Sequence, residues 1–346
     1  MTATAAPERL DRFMARAAAA YYAARDPFGA AGDFTTAPEI SQAFGECLGL
    51  WAAVTWEAMG RPDPVLLVEL GPGRGTLMAD ALRATTRVAA PFRAALRVHL
   101  VETSPALREA QRIRLGPAAS AATWHADPAA LPPGPAILLA NEFLDALPIR
   151  QFVRRGAAWL ERHVQDGALV ELPAEDPPPL PAEAPEGAVR ELSEAAQALA
   201  AALAARLSTQ GGAALFLDYG PERSGFGDTL QALRAHAPAD PVASPPGSVD
   251  LTAHVDFAAI AAAARAAGAA VHGPLPQGLF LQRLGLVSRA AMLARAAQAS
   301  GRGADAAGLI LSGVERLVAP EGMGRLFKAL CLCHPGLAAP PGFGTP

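Results

Sequence analysis

The chain reads as an α/β protein built on a mostly parallel sheet with helices on both faces. Three observations predict this. Short, continuously apolar runs at residues 65–68, 136–140 and 213–217 have the length and composition of strands buried on both sides, and Arg97-Val98-His99-Leu100-Val101 reads as a further strand. Segments with helical spacing or helix-start signals stand between them, joined by short loops. Acidic residues close these runs: Glu69, Glu102 and Asp218, with Asn141-Glu142 closing another. In open α/β sheets ligands bind beyond the carboxyl ends of strands, and scattered surface acids would not respect that position.

Each element can be justified in turn. The first twenty residues alternate Arg with Ala and faintly resemble an Arg-rich targeting segment. Glu8 and Asp11 within them, and apolar spacing running into Tyr21-Tyr22, favour an amphipathic helix and a cytoplasmic location. A Gly- and Thr-rich loop covers 29–38, and a helical pattern covers 41–59. Pro62 and Pro64 precede the first strand, which leads through Glu69-Leu70-Gly71-Pro72-Gly73-Arg74-Gly75 into a helix from Thr76. After the second strand, Ser104 is a helix N-cap with Pro105 at the first helical position.

The pattern changes at 151–172, where turn signals at Gly156 and Asp166-Gly167 separate strand-like stretches into an antiparallel ribbon. A Pro-rich surface loop spans 173–187, and a long Ala-rich helix is expected at 186–207. Residues 213–218 return as a core strand, and 250–268 read as a loop entering a helix. Helices follow near 288–297 and 309–318, then a final strand at 326–333. The expected organisation is N-terminal helices and a lid loop (1–60), the first half of a ligand-binding core (61–150), and an inserted ribbon, loop and helix (151–210). The second half of the core (211–335) and a flexible tail (336–346) complete it.

Composition narrows the function. A chain of 346 residues, 51% hydrophobic, can bury a full core, and a net charge of −4 gives no broad electrostatic footprint for nucleic acid. No apolar run reaches the roughly 18 residues of a membrane span. Three cysteines point to a reducing compartment. Cys331 and Cys333 are taken to face opposite sides of the final strand, so no metal site is expected.

The strand, glycine turn and helix start at 65–76 make a cradle in which unpaired amides face a nucleotide-like ligand. Glu69 suits a ligand carrying positive charge, as S-adenosylmethionine does at its amino group and sulfonium. Glu102 is placed to take ribose hydroxyls, a role an acid also plays for NAD. Glycine spacing separates the two: positions 71, 73 and 75 give G-x-G-x-G rather than the dinucleotide G-x-G-x-x-G. The reading is therefore a methyltransferase. Glu142 and Asp145, after the strand at 136–140, are the candidates to align an acceptor and take its proton, with Phe143 packing on the cofactor or walling the pocket. Asp218 could instead open a turn, and Asp145 could cap a short helix.

Five segments resemble signatures of the MidA family: 32–41 (Gly-Asp-Phe-Thr-Thr-Ala-Pro-Glu-Ile-Ser), 69–75, 141–148, 227–231 and 250–257. The resemblance runs from about residue 8 to about residue 335, with Ala37 standing where the motif usually has Ser. It implies a class I, Rossmann-like S-adenosylmethionine-dependent methyltransferase fold with an N-terminal helical lid and an inserted ribbon and helical lobe. It also implies a protein-arginine substrate on a subunit of NADH dehydrogenase (complex I), symmetrically dimethylated. Carried over, it makes Glu69, Gly71, Gly73, Gly75 and Glu102 cofactor contacts, and Asn141 and Glu142 active-centre residues. The 32–41 segment becomes a lid offering Phe34, Thr35, Thr36 and Glu39. Asp218 and His254 are placed on the substrate side, and Asp127 is a candidate for the adenine amino group. A homodimer is among the oligomeric states left open. The competing readings are a non-catalytic factor that holds a client protein, a small-molecule methyltransferase, and an NAD enzyme.

Overall fold

The computed structural model describes residues 5–24, 35–234, 237–300 and 303–344. Seven strands form the central sheet: β1 (Val65–Leu70), β2 (Leu96–Val101), β3 (Ala122–His125), β4 (Ala136–Asn141), β5 (Gly212–Tyr219), β6 (Ala270–Pro276) and β7 (Phe327–Cys333). Their spatial order is 3-2-1-4-5-7-6. The first five pair in parallel, and β7 runs antiparallel to both β5 and β6. The order reverses between β1 and β4, which opens a crevice at their carboxyl ends. The expected α/β sheet with helices on both faces is therefore present.

The period-two geometry of strands sorts the core into two layers. Leu67, Ile137, Leu215 and Cys331 pack on one face, whereas Val68, Leu138, Phe216 and Leu330 pack on the other. Cys331 and Cys333 share a face, contrary to expectation, because residues two apart in a strand must do so. Both thiols are buried, and among the described residues no group of three or more His, Cys, Asp or Glu could hold a metal ion.

Helices α1 (Leu10–Ala24), α2 (Gln42–Ala58), α3 (Thr76–Val88) and α4 (Pro105–Leu115) precede the inserted lobe. Ser41 and Ser104 cap α2 and α4 through their hydroxyls. Helix α2 crosses α3 closely at Gly49, where a Cβ would stand 2.6 Å from the Ala81 Cα. No helix among the described residues is long and apolar enough to cross a membrane.

The ribbon folds as expected from strands Arg150–Arg155, Ala158–Gln165 and Ala168–Pro173, and Glu8–Arg9 adds to its edge. The expected long helix does not begin at 186. Residues Val189–Leu192 form a fourth long strand of this sheet, paired with Arg150–Val153, and α5 (Glu194–Gln210) starts only after its Ser193 cap. Pairing with the ribbon satisfies that backbone and overrides the helical composition. A three-stranded sheet, Gln231–Arg234, Ala237–Ala239 and Asp250–Thr252, replaces part of the expected loop before α6 (Phe257–Ala266). Helices α7 (Gln277–Arg283), α8 (Leu286–Ala299) and α9 (Gly303–Val318) follow.

Where a flexible tail is expected, the described residues 336–344 dock on the body of the protein. Phe343 packs on Phe280 with ring centroids 5.0 Å apart, and the Trp51 indole donates to the Pro341 carbonyl at 3.1 Å.

Candidate active site

The carboxyl end of β1 builds one wall of the crevice. Gly71, Gly73 and Gly75 all hold left-handed backbone, with φ of 61°, 52° and 80°. A Cβ on Gly71 would stand 2.6 Å from the Phe143 ring, so glycine is required for the loop to lie against the β4 turn. Glu69 is 3% exposed, and its Oε2 has no hydrogen-bond partner. Burial pushes its carboxyl well above the usual range, opposed only by the Met78 amide in the first turn of α3. Thr36, Glu39, Glu69, Gly71, Asn141 and Glu142 line the same cleft. The Thr76 hydroxyl donates to Glu39, which ties the short helix Ala37–Ile40 to the start of α3.

Glu102 follows β2 and accepts one hydrogen bond on each carboxylate oxygen, which leaves capacity for more. Its Oε1 accepts from the Ser104 amide at 2.8 Å and its Oε2 from Gln111 Nε2 at 3.2 Å. The Gln111 side chain also donates to the Gly73 carbonyl at 2.7 Å and accepts from the Trp124 indole at 2.8 Å. One amide thus couples the glycine loop to the acid on the next strand.

Beyond β4 the backbone turns sharply, with Glu142 itself at φ 50°. Glu142 Oε1 accepts from the Ala37 amide at 2.9 Å and from Asn141 Nδ2 at 3.0 Å. Burial, reinforced by Asp145, pushes its carboxyl up to about 7. Asp145 is 6% exposed with an unpartnered Oδ1, and burial pushes it to about 6. Asp218 organises this turn. Its Oδ2 accepts from the amides of Phe143, Leu144 and Asp145 at 3.1, 2.8 and 3.2 Å, and its Oδ1 from the Tyr219 amide at 2.9 Å.

A second cavity opens on the other side of Glu142. Tyr22, Glu142, Asp145, Tyr219, Asp250 and His254 line it, with Gln231, Thr252 and Phe327. Tyr22 donates to Asp250 Oδ1 at 3.2 Å, Gln231 to the Tyr219 hydroxyl at 3.2 Å, and the Tyr219 and His254 rings meet edge to face at 5.4 Å. Glu142 is the wall shared by the cavity and the β1 cleft.

Residues 47–275 match the family model described as "Putative S-adenosyl-L-methionine-dependent methyltransferase". The chain belongs to this methyltransferase family. It is 38% identical to the protein arginine methyltransferase NDUFAF7 homolog of Drosophila melanogaster, covering 93% of this chain and 79% of that protein. Against the Homo sapiens protein arginine methyltransferase NDUFAF7, identity is 34%, with 94% and 79% covered. A crystal structure from Burkholderia thailandensis bound to S-adenosyl-homocysteine is similar with a TM-score of 0.82, at 28% identity over 97% of this chain and 90% of that one. The methyltransferase fold and its S-adenosylmethionine cofactor, both expected from the sequence, are thus shown.

The residues of this methyltransferase fit that cofactor. Two buried acceptors without protein partners, Glu69 Oε2 and Asn141 Oδ1, belong to residues lining the cleft, where an ammonium group would satisfy them. Other sequence expectations fare differently. Asp127 is exposed and caps the turn Pro128–Ala130 by accepting from the Ala129 amide at 2.8 Å, and it does not line the cleft. Asp218 is 1% exposed and turned to backbone amides rather than to a substrate. Thr36 and Glu39 line the cleft and Thr35 does not, whereas Phe34 lies outside the described residues. His254 lines the acidic cavity. Sequence reasoning missed Tyr22, Tyr219, Asp250 and Gln111. Asp250 opened one of the quoted family signatures, which was the available signal.

Proposed function

We propose that this chain methylates an arginine side chain of a protein, giving symmetric dimethylarginine on a subunit of NADH dehydrogenase during complex I assembly. The observation that carries the arginine reading is the cavity behind Glu142, where three carboxylates (Glu142, Asp145 and Asp250) stand among the rings of Tyr22, Tyr219 and Phe327. Carboxylates match the fork of guanidinium donors, and aromatic faces match its flat, weakly hydrated cation. The names of the relatives support the same substrate class. A cytoplasmic site of action belongs to this proposal.

In this reading Glu69, the glycine loop through its Gly73 amide, Asn141 and Glu102 hold the cofactor, which supplies an electrophilic methyl group. The Gly71 and Gly75 amides are taken by the Val101 and Pro72 carbonyls. The short helix Ala37–Ile40 and Glu39 close over it. Glu142 and Asp145 align the guanidinium and hold its charge on the nitrogens facing away from the reaction. As one nitrogen gains a methyl group it loses a proton, and the carboxylate pair takes that proton up. Asp218 contributes by fixing the turn that carries both acids.

The test is incubation with isotopically labelled S-adenosylmethionine in an extract that holds NADH dehydrogenase subunits, followed by mass spectrometry. Label on arginine of one such subunit is expected. Label confined to small molecules, or on no protein, would overturn the proposal.

A further inference from the structure

The acidic cavity adjoins a further compartment. His254 and Leu326 line the cavity and also line a larger groove of about 500 Å³. The compartments therefore run in series: the β1 cleft, Glu142, the acidic cavity, then His254 and Leu326, then the groove. The groove lies between Val189–Leu192 and α5 on one side and the loop after β5 and the start of β7 on the other.

Its charges are unevenly used. Arg190 is pinned by Asp256 at 2.8 Å and by the Gly225 carbonyl at 2.7 Å. The groove's acids are also consumed. Glu191 accepts from the Thr229 amide at 2.9 Å and from Gln151 at 2.7 Å, and Asp256 further accepts from Ser224 at 2.8 Å. Lys328 is buried, with its ammonium turned to the carbonyls of Arg325 and Leu326. Arg223 and Arg325 remain: both are exposed, both line the groove, and neither guanidinium meets a carboxylate among the described residues. Glu222, next to Arg223 in the chain, does not line the groove. Beside the two arginines in the chain, Phe226 and Leu326 each stay 45% exposed and line the same groove.

We infer that this groove docks an extended segment of the protein substrate in which a carboxylate side chain and an apolar side chain stand close in sequence to the arginine to be methylated. The acidic cavity takes the guanidinium, Arg223 and Arg325 take the carboxylate, and Phe226 with Leu326 take the apolar side chain. Opposite charge in adjoining compartments fixes the direction in which the segment lies and discriminates against basic neighbours. This inference rests on the arginine reading of the cavity.

The experiment uses the full chain with S-adenosyl-homocysteine and fluorescent fifteen-residue peptides carrying one central arginine. One peptide has Asp and Leu as the arginine's near neighbours; a second has Asn and Leu, a third Lys and Leu. Fluorescence anisotropy should show the Asp peptide binding about tenfold tighter than the Asn peptide, with the advantage shrinking as salt is raised. In the double variant R223E/R325E the order should invert in favour of the Lys peptide, with Tm within a few degrees of the parent because both sites are exposed. Equal binding of the three peptides by the parent, or an unchanged order in the double variant, would overturn the inference. Methyl transfer to the same peptides from labelled S-adenosylmethionine separates the two readings. Charge-selective binding without transfer to arginine keeps the groove and removes the arginine function. Transfer without charge selection keeps the function and removes the groove.

Discussion

The Ala37 amide donates to Glu142 Oε1 at 2.9 Å, so the segment that lines the cleft through Thr36 and Glu39 and the acid that divides cleft from cavity are one hydrogen-bonded unit. Ala37 stands at the start of the short helix Ala37–Ile40, whose Glu39 is held by Thr76 at the start of α3. On the proposed function, closure and acceptor chemistry would thereby be coupled through a single carboxylate.

That coupling predicts different outcomes for two substitutions. Glu142→Gln keeps an oxygen for the Ala37 amide but cannot take up a proton. It should lower single-turnover methyl transfer by about 10²- to 10⁴-fold while cofactor affinity stays near that of the parent. Glu142→Ala should lose the same rate and also weaken cofactor binding, because the closing segment loses its acceptor. Single-turnover rates paired with calorimetry check this, and a normal rate in either variant would rule out the role.

The second prediction concerns pH. Both acids carry raised values, about 7 for Glu142 and about 6 for Asp145, chiefly through burial, with the Asp145 charge raising Glu142 further. Proton uptake needs the ionised form, so kcat/KM should rise with pH and level off above about 7. Glu142→Gln should remove the upper step. The stability effect has the opposite sign. The folded state keeps its protons above the ordinary carboxylate values, so it binds more protons than the unfolded state up to about pH 7. Stability contributed by this pair is therefore lost as pH rises through that window. Thermal denaturation between pH 5 and pH 8 should show a shallower fall in Glu142→Gln, and a parallel fall would contradict the assignment.

Glu69 should behave differently. Its Oε2 is buried and unpartnered, so the free protein bears a desolvation cost that a cationic ligand group relieves. Glu69→Gln should weaken cofactor binding by about 1.5–3 kcal/mol, the range for hydrogen bonds to charged groups, and leave Tm unchanged or raised. Calorimetric titration alongside thermal denaturation tests both halves. Unchanged affinity would show that the carboxylate does not meet the cofactor.

What the sequence disclosed was what local physics dictates. Val65–Leu70 had to be a buried strand, and three glycines in five residues had to make a turn no other residue could follow, as Gly71 against Phe143 shows. The acid after β4 was legible because strand ends face the crevice in this architecture. Asp218 shared that position but not the role, since nothing in the sequence reveals that four amides converge on its carboxylate. Tyr22 and Asp250 were hidden for a related reason: 228 positions apart, they meet only through the three-stranded sheet at 231–252. The strand Val189–Leu192 was misread as helix because its partner, Arg150–Val153, is likewise remote in sequence.

Gly71→Ala tests the turn itself. The substitution places a side chain at φ 61° and 2.6 Å from the Phe143 ring, so either the loop or the β4 turn must move. A cost of about 1–3 kcal/mol is expected from the backbone alone. Because Phe143 sits between Glu142 and Asp145, both cofactor affinity and methyl transfer should fall together. A variant that lost stability but kept both would show that the turn does not transmit its position to the acids.

Asp218 provides the sharpest separation between holding a turn and doing chemistry. Its Oδ2 alone receives three amides, so Asp218→Asn must set an NH2 group against donors at one oxygen position or the other. Leaving buried amides unsatisfied costs about 1–3 kcal/mol, which should appear as a Tm several degrees lower. A purely structural loss would stop there. If Asp218 positions Glu142 and Asp145, the same variant should lower kcat and shift the pH at which methyl transfer levels off, because the spacing and burial of the carboxylate pair change. Cofactor affinity, which the proposed function gives to Glu69 and the glycine loop, should change little by comparison. A pH profile superimposable on that of the parent, at reduced stability, would assign Asp218 to the fold alone.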